Sequence, residues 1–115
     1  VDNMHQRKTQ MSELSDGFIA IPGGAGTLEE IFEQWTWAQL GIHQKPCAFL
    51  NVDGFYDDLL KFLQLTADKG FTHQRFTNSL IASDNIEEIL AQFKAYVPPQ
   101  PKWGVADQQD LVKNA

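Results

Sequence analysis

The sequence has few of the features that mark secreted or membrane-bound proteins. It contains a single cysteine, Cys47, so an internal disulfide is excluded. No apolar run approaches the roughly 18 residues that a membrane-spanning helix needs, and no secretory signal pattern is visible. We therefore expect a cytoplasmic protein without a membrane partner. Because Cys47 lies in the apolar run Pro46 to Leu50, we predict that it is a buried small hydrophobic residue.

Basic residues are also few. Nine Lys and Arg stand against 15 Asp and Glu, which gives a formal net charge of −6. Proteins that bind nucleic-acid backbones need a surplus of Lys and Arg on one face, and the nine here are scattered along the chain. We therefore predict no nucleic-acid partner. No second His or Cys stands near His5 at a metal-binding spacing, so no metal site is predicted.

The overall composition is that of a folded protein. At 115 residues, with 43% hydrophobic and 11% aromatic side chains, the chain has room for one core. Apolar runs predict three short parallel strands, Gly17 to Ile21, Pro46 to Asn51 and a weak one at Leu80 to Ala82. The predicted fold class is therefore α/β, a doubly wound parallel sheet. Because three strands make a thin sheet, we expect that its N-terminal strands are missing.

The 3.6-residue spacing of apolar side chains predicts the helices. We place them at Met4 to Leu14, Thr27 to about Leu40, Asp53 to Gly70 and Ile86 to Tyr96. Two glycines, Gly41 and Gly70, are expected to end the second and third helices. Residues 71–79 are expected to be irregular. In the last helix the predicted inward side chains are Ile86, Ile89, Leu90 and Phe93. We assign residues 1–97 to the domain and residues 98–115 to a tail rich in Pro, Gln, Asp and Lys.

One stretch, Pro22-Gly23-Gly24-Ala25-Gly26, follows the first strand and precedes a helix. Three glycines in four positions leave the backbone accessible to an anion and permit positive φ where the loop turns. The first N–H groups of the helix have no intrahelical partner and carry the positive end of its dipole. Loop and helix start together predict a phosphate site, at the strand end where ligands bind in open parallel sheets.

The loop differs from the two common glycine-rich phosphate motifs. It lacks the Lys-Ser/Thr pair that ends a nucleoside-triphosphate loop, and it lacks the G-x-G-x-x-G spacing of a dinucleotide site. A single phosphoryl group therefore suits this loop better than a triphosphate or a dinucleotide.

Glu30 has two interpretations. Thr27 and Glu30 have the spacing of a capping box, in which each side chain accepts a hydrogen bond from the other residue's backbone N–H. Alternatively, Glu30 projects from the first helical turn into the ligand cleft beside the phosphate. The role of Arg7 is also undecided at this point, because most basic side chains on a surface helix stay in water.

Three segments taken together resemble one protein family. The segments are Met4-His5-Gln6-Arg7-Lys8, Pro22 to Glu30 and Thr36 to Gly41. Together they resemble the Lonely guy family, with its M-H-x-R-K and P-G-G-x-G-T-x-x-E signatures. Its members are cytokinin riboside 5′-monophosphate phosphoribohydrolases that are often mislabelled as lysine decarboxylases. The resemblance covers residues 1 to about 97.

The resemblance implies a Rossmann-like fold and a homodimer with active sites near the dimer interface. It implies hydrolysis of the N-glycosidic bond of a nucleoside 5′-monophosphate, such as AMP or prenylated AMP, without a cofactor. Arg7 and Glu30 match the family's essential arginine and glutamate. The positions that line the nucleotide site are matched by Lys8, Gly23, Gly24, Ala25, Gly26, Thr27, Leu28, Glu29 and Thr36.

These residue types suit the implied reaction. Cleavage of the glycosidic bond builds oxocarbenium character on the ribose, which a carboxylate such as Glu30 can stabilise while it orients or deprotonates water. The Arg7 guanidinium can bind the phosphate or stabilise negative charge on the departing base, and the sequence does not distinguish these two roles.

One departure and one alternative accompany the resemblance. The family's second glycine-rich loop, G-G-x-x-G-L-M, is absent from this sequence, so activity is expected of a protein with both loops and is left open for this chain alone. Molybdenum-cofactor carriers resemble the fold and share the P-G-G-x-G-T loop, which there would hold a phosphorylated pterin. The M-H-x-R-K segment discriminates against that carrier. No Lys stands in a recognisable pyridoxal site, so a decarboxylase is not predicted.

Overall fold

The computed structural model describes residues 15–102, together with Gln6, which is helical and exposed. The rest of the helix predicted at Met4 to Leu14 lies outside the described residues, as do Arg7 and Lys8. In chain order the described elements are β1 (Phe18–Ala20), α1 (Ala25–Leu40), β2 (Cys47–Leu50), a 3₁₀ turn (Val52–Gly54), α2 (Asp57–Asp68), α3 (Gln74–Asn78), β3 (Ile81–Ser83) and α4 (Ile86–Lys94).

The three strands form one parallel sheet in the order β1-β2-β3. Phe18 pairs with Cys47 in the first ladder, and Ala48 pairs with Ile81 in the second. All three predicted strands are therefore present, although each is shorter than predicted or displaced by a residue. The central strand is buried through Cys47, Ala48 and Phe49, as expected where helices cover both faces of a parallel sheet.

Side chains that alternate along β2 enter two separate cores. Cys47 and Phe49 pack on one face with Ile31 and Trp35 of α1. Ala48 packs on the other face with Ile81 and with Ile89 of α4. Helices thus cover both faces of the sheet, and the predicted α/β, Rossmann-like arrangement is confirmed.

Helix α1 begins earlier than predicted. It starts at Ala25 rather than Thr27, with Gly24 as its N-cap and without a side-chain cap. Its end agrees with the prediction, because Gly41 follows it with φ of 80° and its N–H bonds to the Ala38 oxygen. A left-handed glycine of this kind is a common way to end a helix.

The helix predicted from Asp53 to Gly70 is divided. Asp53 and Gly54 have φ of 51° and 71°, which right-handed helical backbone does not allow. They lie in the 3₁₀ turn, and α2 begins only at Asp57. The predicted end of this helix is close to the observed one. Helix α2 ends at Asp68, and Gly70, two residues later, has φ of 85°.

The last third of the described chain contains two further differences. A short helix, α3, lies within residues 71–79, which were predicted to be irregular. In α4 the prediction of four inward side chains was wrong in part. Ile89 is fully buried and Phe93 packs on the same core, but Ile86 and Leu90 are 43% and 47% exposed. The helix is only nine residues long, and it covers the sheet with one narrow stripe.

The residues after α4 continue along the surface. Gln100 accepts a hydrogen bond from the Arg75 guanidinium at 2.9 Å, and the Lys102 N–H bonds to the Gln39 oxygen at 2.5 Å. Residues 98–102 therefore contact both α1 and α3, and the tail boundary at residue 97 stays a prediction. Within residues 15–102, no helix is long and apolar enough to cross a bilayer.

Candidate functional site

The glycine-rich loop connects the carboxyl end of β1 to the amino end of α1, as the sequence predicts. Leu28 donates the first helical hydrogen bond, to the Gly24 oxygen at 3.1 Å. The N–H groups of Ala25, Gly26 and Thr27 precede that bond, so they belong to the set that a helix cannot satisfy internally. Together with the helix dipole they form an anion site at the end of the strand.

Gly24 and Gly26 leave the backbone of the loop accessible, and neither has a positive φ. Only Gly41, Gly54 and Gly70 have positive φ among the glycines in the described ranges, so the loop does not use the positive φ that its glycines permit. A Cβ at Gly24 or Gly26 would meet no atom within 4 Å. These two positions therefore face open space, where a methyl group would stand between an anion and the backbone.

Glu30 is exposed on α1 and lines an open cavity of about 200 Å³ along the edge of β1, an outer strand of the described sheet. The cavity is bounded by residues 17–20, at β1, and by Thr27, Glu30, Ile31 and Gln34 of α1. Glu30 lies five residues after Ala25, about 1.4 helical turns along, rather than in the first turn as predicted. Because Gly24 is the N-cap and no side chain caps the helix, the capping-box interpretation is wrong. The carboxylate instead borders a cavity.

The other predicted binding residues near the loop lie either at the loop or just after it on α1. The loop and the first helical turn contain Gly23, Gly24, Ala25, Gly26 and Thr27. Leu28 packs against the core, and Glu29 is exposed beside it.

Thr36 is distant from the loop. It stands eleven residues after Ala25, about 16 Å along the helix at 1.5 Å per residue, and its hydroxyl donates to the Phe32 oxygen at 2.7 Å. The described structure does not bring it to the loop, and its role stays a prediction. Arg7 and Lys8 lie outside the described residues, so their predicted roles remain predictions too.

Two residues near the site carried no functional prediction. Gln34 is 4% exposed, lines the same cavity, and its Oε1 atom has no hydrogen-bond partner. Tyr56 is 2% exposed, and its hydroxyl donates to the Ile21 oxygen at 2.5 Å. Tyr56 follows β2 rather than β1, so only the general clustering of site residues at strand carboxyl ends could have indicated it.

Burial changes the pKa of two groups, one beside the loop and one at the amino end of β2. It raises the pKa of the Tyr56 hydroxyl, and a hydrogen bond with the Gly23 backbone acts in the opposite direction. Burial also raises the pKa of Cys47 to about 12. Cys47 is 3% exposed, which confirms the prediction of a buried hydrophobic residue and makes it a poor nucleophile.

Comparison with known proteins assigns the family. A family model described as "Possible lysine decarboxylase" matches residues 1–93. The chain belongs to the Lonely guy family. Its curated relatives include the Arabidopsis thaliana cytokinin riboside 5′-monophosphate phosphoribohydrolase LOG7, which is 48% identical over 98 residues, 85% of this chain and 45% of the relative. The enzyme named LOG from Oryza sativa subsp. japonica is 45% identical over 109 residues, 95% of this chain and 45% of the relative.

A further Lonely guy relative, LOG1 of Arabidopsis thaliana, is 45% identical over 102 residues, 89% of this chain and 48% of the relative. The chain thus spans about half the length of the curated relatives it matches. These relatives are named phosphoribohydrolases, whereas the family description names a decarboxylase. The recognition made from the three sequence segments is confirmed at the level of the family.

Proposed function

We propose that this chain carries the phosphate loop and the acidic residue of a nucleoside 5′-monophosphate phosphoribohydrolase. The observation that carries the proposal is the open start of α1 at Gly24 to Gly26, with Glu30 beside a cavity 1.4 turns further along the same helix. A phosphate at the loop and a ribose extending from it toward Glu30 would use both features. The curated relatives' names support the same reaction.

The reaction exchanges the C1′–N and water O–H bonds for C1′–O and N–H bonds. The bond between C1′ and the base nitrogen breaks, and its electron pair leaves with the base. Water oxygen bonds to C1′, and a water proton ends on the base, so the products are free base and ribose 5-phosphate. Glu30 would stabilise the positive charge that develops on the ribose and would orient or deprotonate the water.

The phosphate also needs a cation. Residues 15–44 contain no Lys or Arg, so in the described part of the loop region the helix start is the source of positive potential. We propose that Arg7 and Lys8 supply the missing charge, with Arg7 either binding the phosphate or stabilising the departing base. The proposed substrates are AMP and prenylated AMP, without a cofactor. We also propose that the protein is a cytoplasmic homodimer.

The test is chromatographic detection of free base from AMP and from isopentenyl-AMP. It uses this chain and a longer chain in which the family's second glycine-rich loop, G-G-x-x-G-L-M, precedes residue 1. We expect base release from the longer chain and its loss, by at least a hundredfold, in Glu30→Gln, because removal of a group that stabilises transition-state charge has effects of this size.

The matched control is Glu87→Gln, since Glu87 is an exposed carboxylate on α4, on the opposite face of the sheet. It should leave base release unchanged. Nucleotide binding without base release in the longer chain would refute the hydrolase and favour a carrier of a phosphorylated ligand. Equal loss in both glutamate variants would refute the role of Glu30.

A further inference from the structure

The ring of Tyr56 is fixed by its neighbours. The side chain is 2% exposed, and its ring meets Phe49 and Phe55 edge-on, each with ring centroids 4.9 Å apart. Phe49 is fully buried in the central strand. Aromatic pairs in this geometry are favourable, so the direction of the Tyr56 hydroxyl is set by the core.

The backbone of Tyr56 is fixed as well. Its N–H donates to Asn51 Oδ1 at 2.7 Å, and Asn51 Nδ2 donates to Asp57 Oδ1 at 2.8 Å. Asn51 itself is held by a backbone hydrogen bond to the Ser83 oxygen at 2.8 Å. The carboxyl ends of β2 and β3 therefore hold Tyr56 in one place.

The hydroxyl of this fixed residue reaches the glycine-rich loop. It donates to the Ile21 oxygen at 2.5 Å, and the nearby Gly23 backbone opposes the rise that burial causes in the pKa of this hydroxyl. These two residues flank Pro22, at the point where the chain leaves β1 for the loop. The bond to Ile21 joins residues 35 positions apart.

We propose that Tyr56 is a positioning residue that holds the glycine-rich loop in the conformation that receives the substrate phosphate. The inference rests on the proposed function, because it assigns the same loop to a 5′-phosphate. Tyr56 acts through the backbone of Ile21 and Gly23 and does not itself touch the substrate. Loss of the hydroxyl frees the loop, so phosphate binding then has to order it again.

The experiment compares Tyr56→Phe with Tyr96→Phe, which removes the hydroxyl of the chain's other tyrosine. The Tyr96 hydroxyl lies near the Ser79 side chain, away from the loop, and its removal provides the matched control. Calorimetry on the longer chain measures the dissociation constants of AMP and of adenosine for both variants. Hydrogen exchange measures the opening of residues 21–26.

We expect Tyr56→Phe to weaken AMP binding about tenfold, which corresponds to the usual net value of one hydrogen bond. Adenosine binding should change less than twofold, and exchange in residues 21–26 should become faster. Tyr96→Phe should change neither. A purely structural role would instead lower the melting temperature and weaken both ligands alike.

The outcomes separate this inference from the function on which it rests. If Tyr56→Phe and the protein without a substitution bind AMP equally well, the positioning role is overturned, but the proposed phosphoribohydrolase function is not. Equal weakening of AMP and adenosine also overturns it. Absence of AMP binding in the unchanged protein overturns both proposals.

Discussion

The side chain of Thr27 lies directly against the Cα of Gly23. A Cβ built at Gly23 would overlap the Thr27 hydroxyl oxygen and would lie 3.0 Å from Thr27 Cβ. The first turn of α1 thus packs onto the loop that precedes it. Gly23 is required by this close approach, whereas Gly24 has open space around the same position.

This difference predicts opposite outcomes for two alanine variants. Gly23→Ala should destabilise the fold by about 1–3 kcal/mol, because an inserted methyl group forces the helix start away from the loop. Gly24→Ala meets no such overlap and should cost at most about 1 kcal/mol, the value for a poorer N-cap, but should weaken AMP binding because its methyl group lies where an anion approaches. Urea unfolding and calorimetry measure the two effects. Equal stability losses in both variants would contradict the packing of Thr27 on Gly23.

The order of elements in this part of the fold could be predicted from local sequence signals. The apolar run before Pro22, the glycines and the amphipathic pattern up to Gly41 give strand, loop and helix in the right places. The exact helix start was not predictable in this way, because Gly26 is a poor helix former and yet lies inside α1. That displacement of two residues is what removes the predicted capping box.

Two other features depend on contacts that local sequence does not contain. Asp53 adopts a left-handed angle that tertiary packing imposes and that composition does not reveal, so the helix start there was predicted four residues too early. Tyr56 reaches Ile21 across 35 residues, and nothing near Tyr56 in the sequence indicates that contact. The family signatures did indicate Glu30, although periodicity alone left its role open.

Because the Cys47 thiol is buried, we predict that its reactivity depends strongly on whether the chain is folded. With a pKa of about 12 rather than 9.0, Cys47 at pH 8 should hold about a thousandfold less thiolate when folded than when unfolded. A chromogenic disulfide reagent should therefore react slowly with the native chain and rapidly in urea. Equal rates in the two conditions would contradict the burial of Cys47.

The same shift predicts how stability depends on pH. The folded protein retains a Cys47 proton that the unfolded chain loses near pH 9, so the unfolded state binds fewer protons above that pH. The contribution of Cys47 is therefore complete below about pH 9 and is lost as the pH rises toward about 12. Urea unfolding of Cys47→Ala between pH 7 and 11 should show a smaller decline than the unchanged chain.

Asn85 is predicted to contribute to stability as the N-cap of α4. Its Oδ1 atom accepts from the N–H groups of Glu87 and Glu88 at 2.8 and 3.2 Å. Asn85→Ala should cost about 1 kcal/mol, the usual value for a lost cap, and Asn85→Asp should retain the acceptor and most of the stability. Urea unfolding measures both. An alanine variant as stable as the aspartate variant would show that the cap contributes nothing here.

Thr27 should contribute to ligand binding as well as to packing. Its side chain lines the cavity that also contains Glu30, and its N–H is among those that precede the first hydrogen bond of α1. Thr27→Val keeps nearly the same shape against Gly23 and replaces the hydroxyl with a methyl group, so the fold should persist. We expect AMP affinity to fall about tenfold, since a hydrogen bond to a charged group is worth at least 1.5 kcal/mol.

Thr77→Val is the matched control for Thr27→Val, because the Thr77 hydroxyl bonds to the Gln74 oxygen within α3 at 3.0 Å and lies outside the loop. Calorimetric titration with AMP compares the two variants, and unfolding in urea verifies that both remain folded. If AMP affinity is unchanged in Thr27→Val, the hydroxyl serves packing alone. The phosphate would then be held by the backbone N–H groups at the start of α1, without the side chain that follows them.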